Sequence, residues 1–215
     1  MDTIETTVAG VEDIGTDAVA IEITTPPGFD ARPGQFVRLS ATVGGESVSR
    51  FYTVSSPDTV GTFELTVGYD PEEGGAFSEY LLSIAPNDEI TIAGPFGNDY
   101  YEDEPRVVVL AGGPGVGPAV AIAERALADG GAAAVVYRDD DPLHEDRLAA
   151  LSTAGADVFV LPDGTALTDA VSDALTGEDG EQVFVYGFGD FLDDAEAAIT
   201  AAGGDPNAAK SENFG

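Results

Sequence analysis

The sequence predicts an antiparallel β-barrel followed by a doubly wound α/β domain with a parallel sheet, and three observations carry that expectation. The first half is a series of short β-branched or alternating stretches divided by Gly, Pro and Asp clusters. The second half alternates continuous apolar runs with helical segments, the pattern of a parallel sheet covered on both faces. Between them lies an acidic linker, "YEDEP", which puts the domains at 1–102 and 103–215.

In the first half, strands are expected at 18–24 ("AVAIEIT"), 34–40 ("GQFVRLS"), 46–54 ("ESVSRFYTV"), 61–69 ("GTFELTVGY") and 88–94 ("DEITIAG"). Their near-regular spacing favours a barrel or sandwich. One helix interrupts them: Phe77, Tyr80, Leu81 and Ile84 share a face of "FSEYLLSIA", and Pro86 is expected to end it. In the second half, strands at 106–111, 133–138, 157–161 and 182–186 alternate with helices near 116–129, 143–153, 166–176 and 190–202.

Composition narrows the function. The 215 residues hold 40 Asp and Glu against 8 Lys and Arg, a net charge of −32 spread along the chain. Such a surface repels itself in dilute salt. In molar salt the Debye length falls to about 3 Å and the repulsion is screened, so the chain reads as salt-adapted. Phosphate contacts need a basic patch, so nucleic acid is not an expected partner. The longest apolar runs are too short to insert in a membrane, and "MDTIETTVAG" is no secretory signal, so a cytoplasmic location is the expectation. With no cysteine there is no thiolate metal site, cysteine-ligated cluster or disulfide in this chain, and no metal is expected. The single histidine, His144 in "DPLHEDR", sits among charged residues and reads as a solvated side chain.

Four stretches can carry chemistry. "RFYT" places Arg50 and Tyr52 on one strand face and Phe51 and Thr53 on the other. It offers a guanidinium fork for phosphate oxygens, a ring to stack on a planar group and a hydroxyl for a heterocycle. "GGAFS" sets Gly74 and Gly75 before a helix with Ser78 in its first turn, a second place for an anion. "VVVLAGGPGVGP" is strand, glycine turn and helix, with Gly112, Gly113, Gly115 and Gly117 where the chain leaves the strand. It lacks the Lys-Ser/Thr of a P-loop and a strict G-x-G-x-x-G. "KSENFG" closes the chain with Glu212 and Phe214.

The order R-x-Y-[ST], G-x-x-S, I-x-G-P-x-G ("IAGPFG", 92–97), "AGGPGVGP" and terminal E-x-[FY] resembles the ferredoxin–NADP reductase superfamily over nearly the whole chain. The resemblance implies an FAD-binding barrel and an α/β domain that binds NADH or NADPH. Arg50 would hold the FAD pyrophosphate, with Gly75, Ala76, Phe77 and Ser78 on its other side. Tyr52 would lie against the flavin and Thr53 near its reactive edge, flanked by Phe51 and Val67. Tyr69 sits where some members stack an aromatic on adenine. Gly112, Gly113, Pro114, Gly115 and Val116, with Arg138, Gly187 and Phe188, would serve the nicotinamide dinucleotide. Phe214 would cover the flavin face and Glu212 would stand beside the hydride path. Two departures are visible: Tyr186 precedes Gly187 where many relatives have cysteine, and Pro114 and Gly117 stand where threonine or alanine-like residues are common.

The reaction so implied is hydride transfer from the nicotinamide to FAD, then electron transfer to a separate acceptor, a protein such as a ferredoxin, haem protein or oxygenase component. Two other readings are an electron-transfer subunit of a larger complex and a flavin-binding module without turnover. Arg138 is the only cation near the ends of the second and third parallel strands, and "DDD" follows it, which favours NADH.

Overall fold

The structure, a computed structural model, describes residues 3–69 and 75–215. Its first layer is a six-stranded antiparallel sheet of β1 (Ile4–Gly15), β2 (Ala18–Thr24), β3 (Phe36–Val43), β4 (Glu46–Thr53), β5 (Thr62–Gly68) and β6 (Glu89–Phe96). The order β4-β3-β6-β1-β2-β5 is rolled into a barrel, with a bridge from Val54 to Leu65 linking the two outer strands. Alternation fills it. On β5, Phe63, Leu65 and Val67 point inward and are at most 1% exposed, while Glu64 and Thr66 point toward the second half of the molecule. Helix α1 (Ala76–Leu82) plugs the barrel with Phe77 and Leu81.

Strand β1 is absent from the sequence expectation. "IETTVAGVEDIG" buries only Val8 fully, and two register shifts against β2 break its alternation, so no period-2 signal survives. Helix α1 is shorter than expected, because the chain leaves it through turn bonds at Ser83 and Ile84, before Pro86. Gly74 lies outside the described residues.

The second layer is a five-stranded parallel sheet in the order β11-β10-β7-β8-β9, formed by β7 (Arg106–Gly112), β8 (Ala132–Arg138), β9 (Asp157–Leu161), β10 (Glu181–Gly187) and β11 (Lys210–Asn213). Val107 and Val109 face α2 (Val116–Ala128) and α3 (Glu145–Thr153); Val108 and Leu110 face α4 (Thr168–Ala174) and α5 (Gly189–Ala201). Burial on both faces is why these strands read as unbroken apolar runs. The short β11 brings the C-terminus beside β10, and Lys210 anchors it through Glu102, Glu104 and the Tyr100 carbonyl.

The two layers meet where β5 faces α2 and the start of α3. A side chain at Gly117 would collide with Ser55 and Thr66 of the barrel. Arg147 spans the seam, pairing with Glu64 and Glu124, both at 2.7 Å. His144 corrects the expectation of a solvated side chain. It is 5% exposed, its Nε2 lies 2.8 Å from Thr66 Oγ1, and burial lowers its pKa to about 3. Its backbone is left-handed (φ 55°), which turns the ring inward toward the barrel rather than outward with its charged neighbours.

Candidate functional site

A cleft of about 610 Å³ opens between the barrel and the C-terminal edge of the parallel sheet. The barrel contributes Arg50, Phe51, Tyr52, Thr53 and Ser78; the other half contributes Pro114, Phe188, Glu212 and Phe214. Residues 159 positions apart thus touch: Thr53 Oγ1 donates to Glu212 Oε2 at 2.9 Å. Strand β4 is an outer strand whose R-x-Y-T tail stays paired with β3 to Thr53 while all four of its residues line the cleft.

Arg50 is the electrostatic feature of the cleft. Arg32, Arg106, Arg125, Arg138, Arg147 and Lys210 all pair with carboxylates. Arg38 and Arg50 have no carboxylate partner among the described residues; Arg38 lies away from the cleft, while Arg50 lines it and its Nη1 donates to the Ser49 carbonyl at 2.9 Å. A guanidinium with no carboxylate partner among the described residues, in a chain of net charge −32 and at the wall of a cleft, fits a bound anion. Tyr52 lines the cleft beside it with Ser78, and burial pushes its hydroxyl up to about 12, so it stays a neutral ring. The aromatic faces of Tyr52, Phe188 and Phe214 suit a planar heterocycle. These residues fit the pyrophosphate and isoalloxazine of a flavin dinucleotide.

Glu212 differs from the solvated carboxylates of the surface. Burial raises its pKa to about 7; the Thr53 hydrogen bond opposes the shift and Asp99 adds to it. Phe214 packs on Tyr186 and Phe188 with ring centroids 6.5 and 6.1 Å away, and its N–H donates to the Gly187 carbonyl. Tyr186, in the place of the expected cysteine, is fully buried, and burial drives its pKa far up. Its hydroxyl reaches the Asp99 carbonyl at 3.3 Å.

Other expected residues lie elsewhere. Val67, Phe77 and Val116 are core side chains. Alternation along β5 instead turns Thr66 and Gly68 to the cleft. Gly75 and Ala76 are exposed at the start of α1. Gly112 and Gly187 make room for the Phe191 ring, and Gly115 for the Tyr186 backbone. Gly113 alone in that turn has both a left-handed backbone (φ 55°) and open space where a side chain would project. Tyr69 lies in a neighbouring groove of about 430 Å³ with Asp17, Asp139 and Asp141, and its hydroxyl donates to Glu79. That groove shares Gly68, Pro114 and Phe188 with the cleft. Arg138 is committed elsewhere: it pairs with Asp194 at 2.8 Å and stacks on Phe191. Phe36, Ser55, Thr66 and Pro118 also line the cleft and were not expected from the sequence.

A family model described as "Oxidoreductase FAD-binding domain" matches residues 6–101. The glycine betaine monooxygenase reductase subunit of Chromohalobacter salexigens is 38% identical over 94 residues, 42% of this chain and 25% of that protein. The toluate 1,2-dioxygenase electron transfer component of Pseudomonas putida is 33% identical over 127 residues, 56% of this chain and 37% of that protein. The chain thus spans about a quarter to a third of the length of these relatives. A ferredoxin NADP+ reductase from Neisseria gonorrhoeae, solved with bound FAD and NADP, superposes with a TM-score of 0.80 at 18% identity, covering all of both chains, a likeness of fold. No helix among the described residues is long and apolar enough to cross a membrane. With the R-x-Y-T strand and the terminal E-x-F meeting across one cleft, residues 6–101 match the oxidoreductase FAD-binding domain family, and the whole chain shares the fold of the Neisseria reductase.

Proposed function

We propose that this chain is an FAD-dependent NADH oxidoreductase that passes electrons to a separate protein acceptor, with residues 1–102 holding the flavin and 103–215 the nicotinamide dinucleotide. The observation that carries the reading is Arg50, without a carboxylate partner among the described residues, in the same cleft as the Thr53–Glu212 contact. Bound FAD supplies the conversion of a two-electron hydride donor into one-electron steps. The chain's own part is orientation and proton control. Arg50 and Ser78 would bind the dinucleotide's pyrophosphate, and Tyr52 and Phe214 would face its ring system. Glu212, titrating near neutrality, takes or gives a proton at Oε2 through the hydroxyl of Thr53.

The groove beside the cleft supports NADH over NADPH. Its wall carries Asp17, Asp139 and Asp141, which suit ribose hydroxyls, and the nearby Arg138 is already paired with Asp194. The names of the two sequence relatives, a "reductase subunit" and an "electron transfer component", favour a subunit or component of an oxygenase system as the setting. Phe51, 60% exposed at the cleft wall, leaves that side open to an approaching partner. The dispersed carboxylates support work at high salt.

The test is reconstitution with FAD in high salt, followed by steady-state reduction of an artificial one-electron acceptor. NADH is expected to support turnover at a much lower concentration than NADPH. Equal use of both would remove the NADH assignment. Fast flavin reduction with poor reduction of artificial acceptors would identify the subunit reading.

A further inference from the structure

The tail of β4 is gripped from the other half of the molecule by two side chains at the start of α3. His144 Nε2 lies 2.8 Å from Thr66 Oγ1. Thr66 Oγ1 donates to Ser55 Oγ at 2.9 Å, and Ser55 Oγ reaches the Thr53 carbonyl at 3.5 Å. Because Thr66 uses its one hydroxyl proton on Ser55, it accepts from His144, which places the imidazole proton on Nε2. The donors therefore run in one direction, from the α/β layer into the Thr53 backbone. Arg147 holds the same segment by its main chain: Nη2 donates to the Ser55 carbonyl at 2.8 Å. Its Nη1 and Nε are fixed by Glu64 at 2.7 Å and Glu124 at 2.8 Å. Ser55, Thr66 and His144 are at most 7% exposed, so little water competes for these bonds.

Thr53 is the barrel's partner for Glu212, and that contact crosses between the layers. Its length depends on how the layers are held. We propose that His144 and Arg147 form a clamp that fixes Thr53 opposite Glu212, and are positioning residues for the chemistry of the cleft. The proposal rests on reading that cleft as a flavin site. A displacement of about 1 Å at such a contact can slow a reaction by up to about a hundredfold, so the clamp is expected to act on rate more than on nucleotide affinity.

The test uses the full chain with and without FAD. His144 is the only histidine, so its ring signals in a ¹⁵N spectrum need no assignment by mutation. The FAD-free protein is expected to show a neutral ring protonated at Nε2; a ring protonated at Nδ1 would overturn the proposal. His144→Phe keeps the bulk and removes the donor, and His144→Gln restores a donor near the same place. In His144→Phe the amide signals of Thr53 and Ser55 should shift. The limiting rate of flavin reduction by NADH should fall about tenfold with half-saturation changed less than about twofold. His144→Gln should recover both. An unaltered rate in His144→Phe, or an equal loss in both variants that tracks an equal loss of melting temperature, would overturn the clamp. Should His144→Phe fail to fold, Ser55→Ala breaks the same relay and carries the same expectations. If NADH does not reduce the wild-type flavin, the functional reading fails. The clamp is then decided by the amide shifts of the FAD-free protein alone.

Discussion

Among single residues, Arg50 and Glu212 carry the sharpest expectations. Arg50 is exposed and has no carboxylate partner among the described residues, so Arg50→Ala should leave the fold intact. A charge-assisted contact to a phosphate contributes about 1.5–3 kcal/mol. FAD retention, followed by fluorescence titration, should therefore weaken by about ten- to a hundredfold, and unchanged retention would count against the pyrophosphate role. Glu212 makes a prediction in pH. Its folded pKa, near 7, is raised above the ordinary carboxylate value of 4.5. The folded chain then binds the proton more tightly than the unfolded chain. Its contribution to stability is full below pH 4.5 and is lost as pH rises toward 7. Glu212→Gln should remove that loss, so that the variant gains on wild type by on the order of 2–3 kcal/mol between those limits in the FAD-free protein. Denaturant melts across the window measure it, and parallel curves for the two proteins would contradict a buried, protonated Glu212.

At the scale of elements, β7 to β10 of the parallel sheet were legible as apolar runs, most completely in β7 and β8 where both faces are buried, whereas the short polar β11, "KSEN", was not expected. The barrel strands from Ala18 to Phe96 were legible through alternation and turn residues. Strand β1 was not, since it buries one side chain fully and slips register twice. The site was legible where a motif is local: "RFYT" and "ENFG" each name their residues. Thr66, Ser55 and His144 were hidden because no local pattern says that β5 and the start of α3 will meet. Val67, expected at the flavin, faces the core while its neighbour Thr66 lines the cleft, since one residue along a strand exchanges the two faces. The glycine turn shows the same limit. Its sequence suggests room for phosphates, yet Gly117 is there because β5 packs on α2 without space for a side chain. Gly117→Ala should destabilise the chain by about 1–3 kcal/mol, as overpacking of a closed contact does. A melting temperature equal to wild type would show that the two layers separate easily at that seam.

For the whole molecule, charge and architecture act together. The net charge of −32 opposes compaction in dilute salt, so the unfolding midpoint should rise into molar KCl and fall steeply on dilution. A flat response would remove the salt-adaptation reading while leaving the site untouched. The two layers bring Arg50, Tyr52 and Thr53 against Glu212 and Phe214 from opposite ends of the chain, and only that meeting turns separate motifs into one reaction site. The most direct test is anaerobic mixing of the FAD-loaded chain with NADH in high salt, with flavin absorbance followed through a single turnover. The account predicts rapid bleaching by NADH and much slower bleaching by NADPH. A flavin that stays oxidised with both nucleotides, in a folded and fully loaded protein, would contradict it.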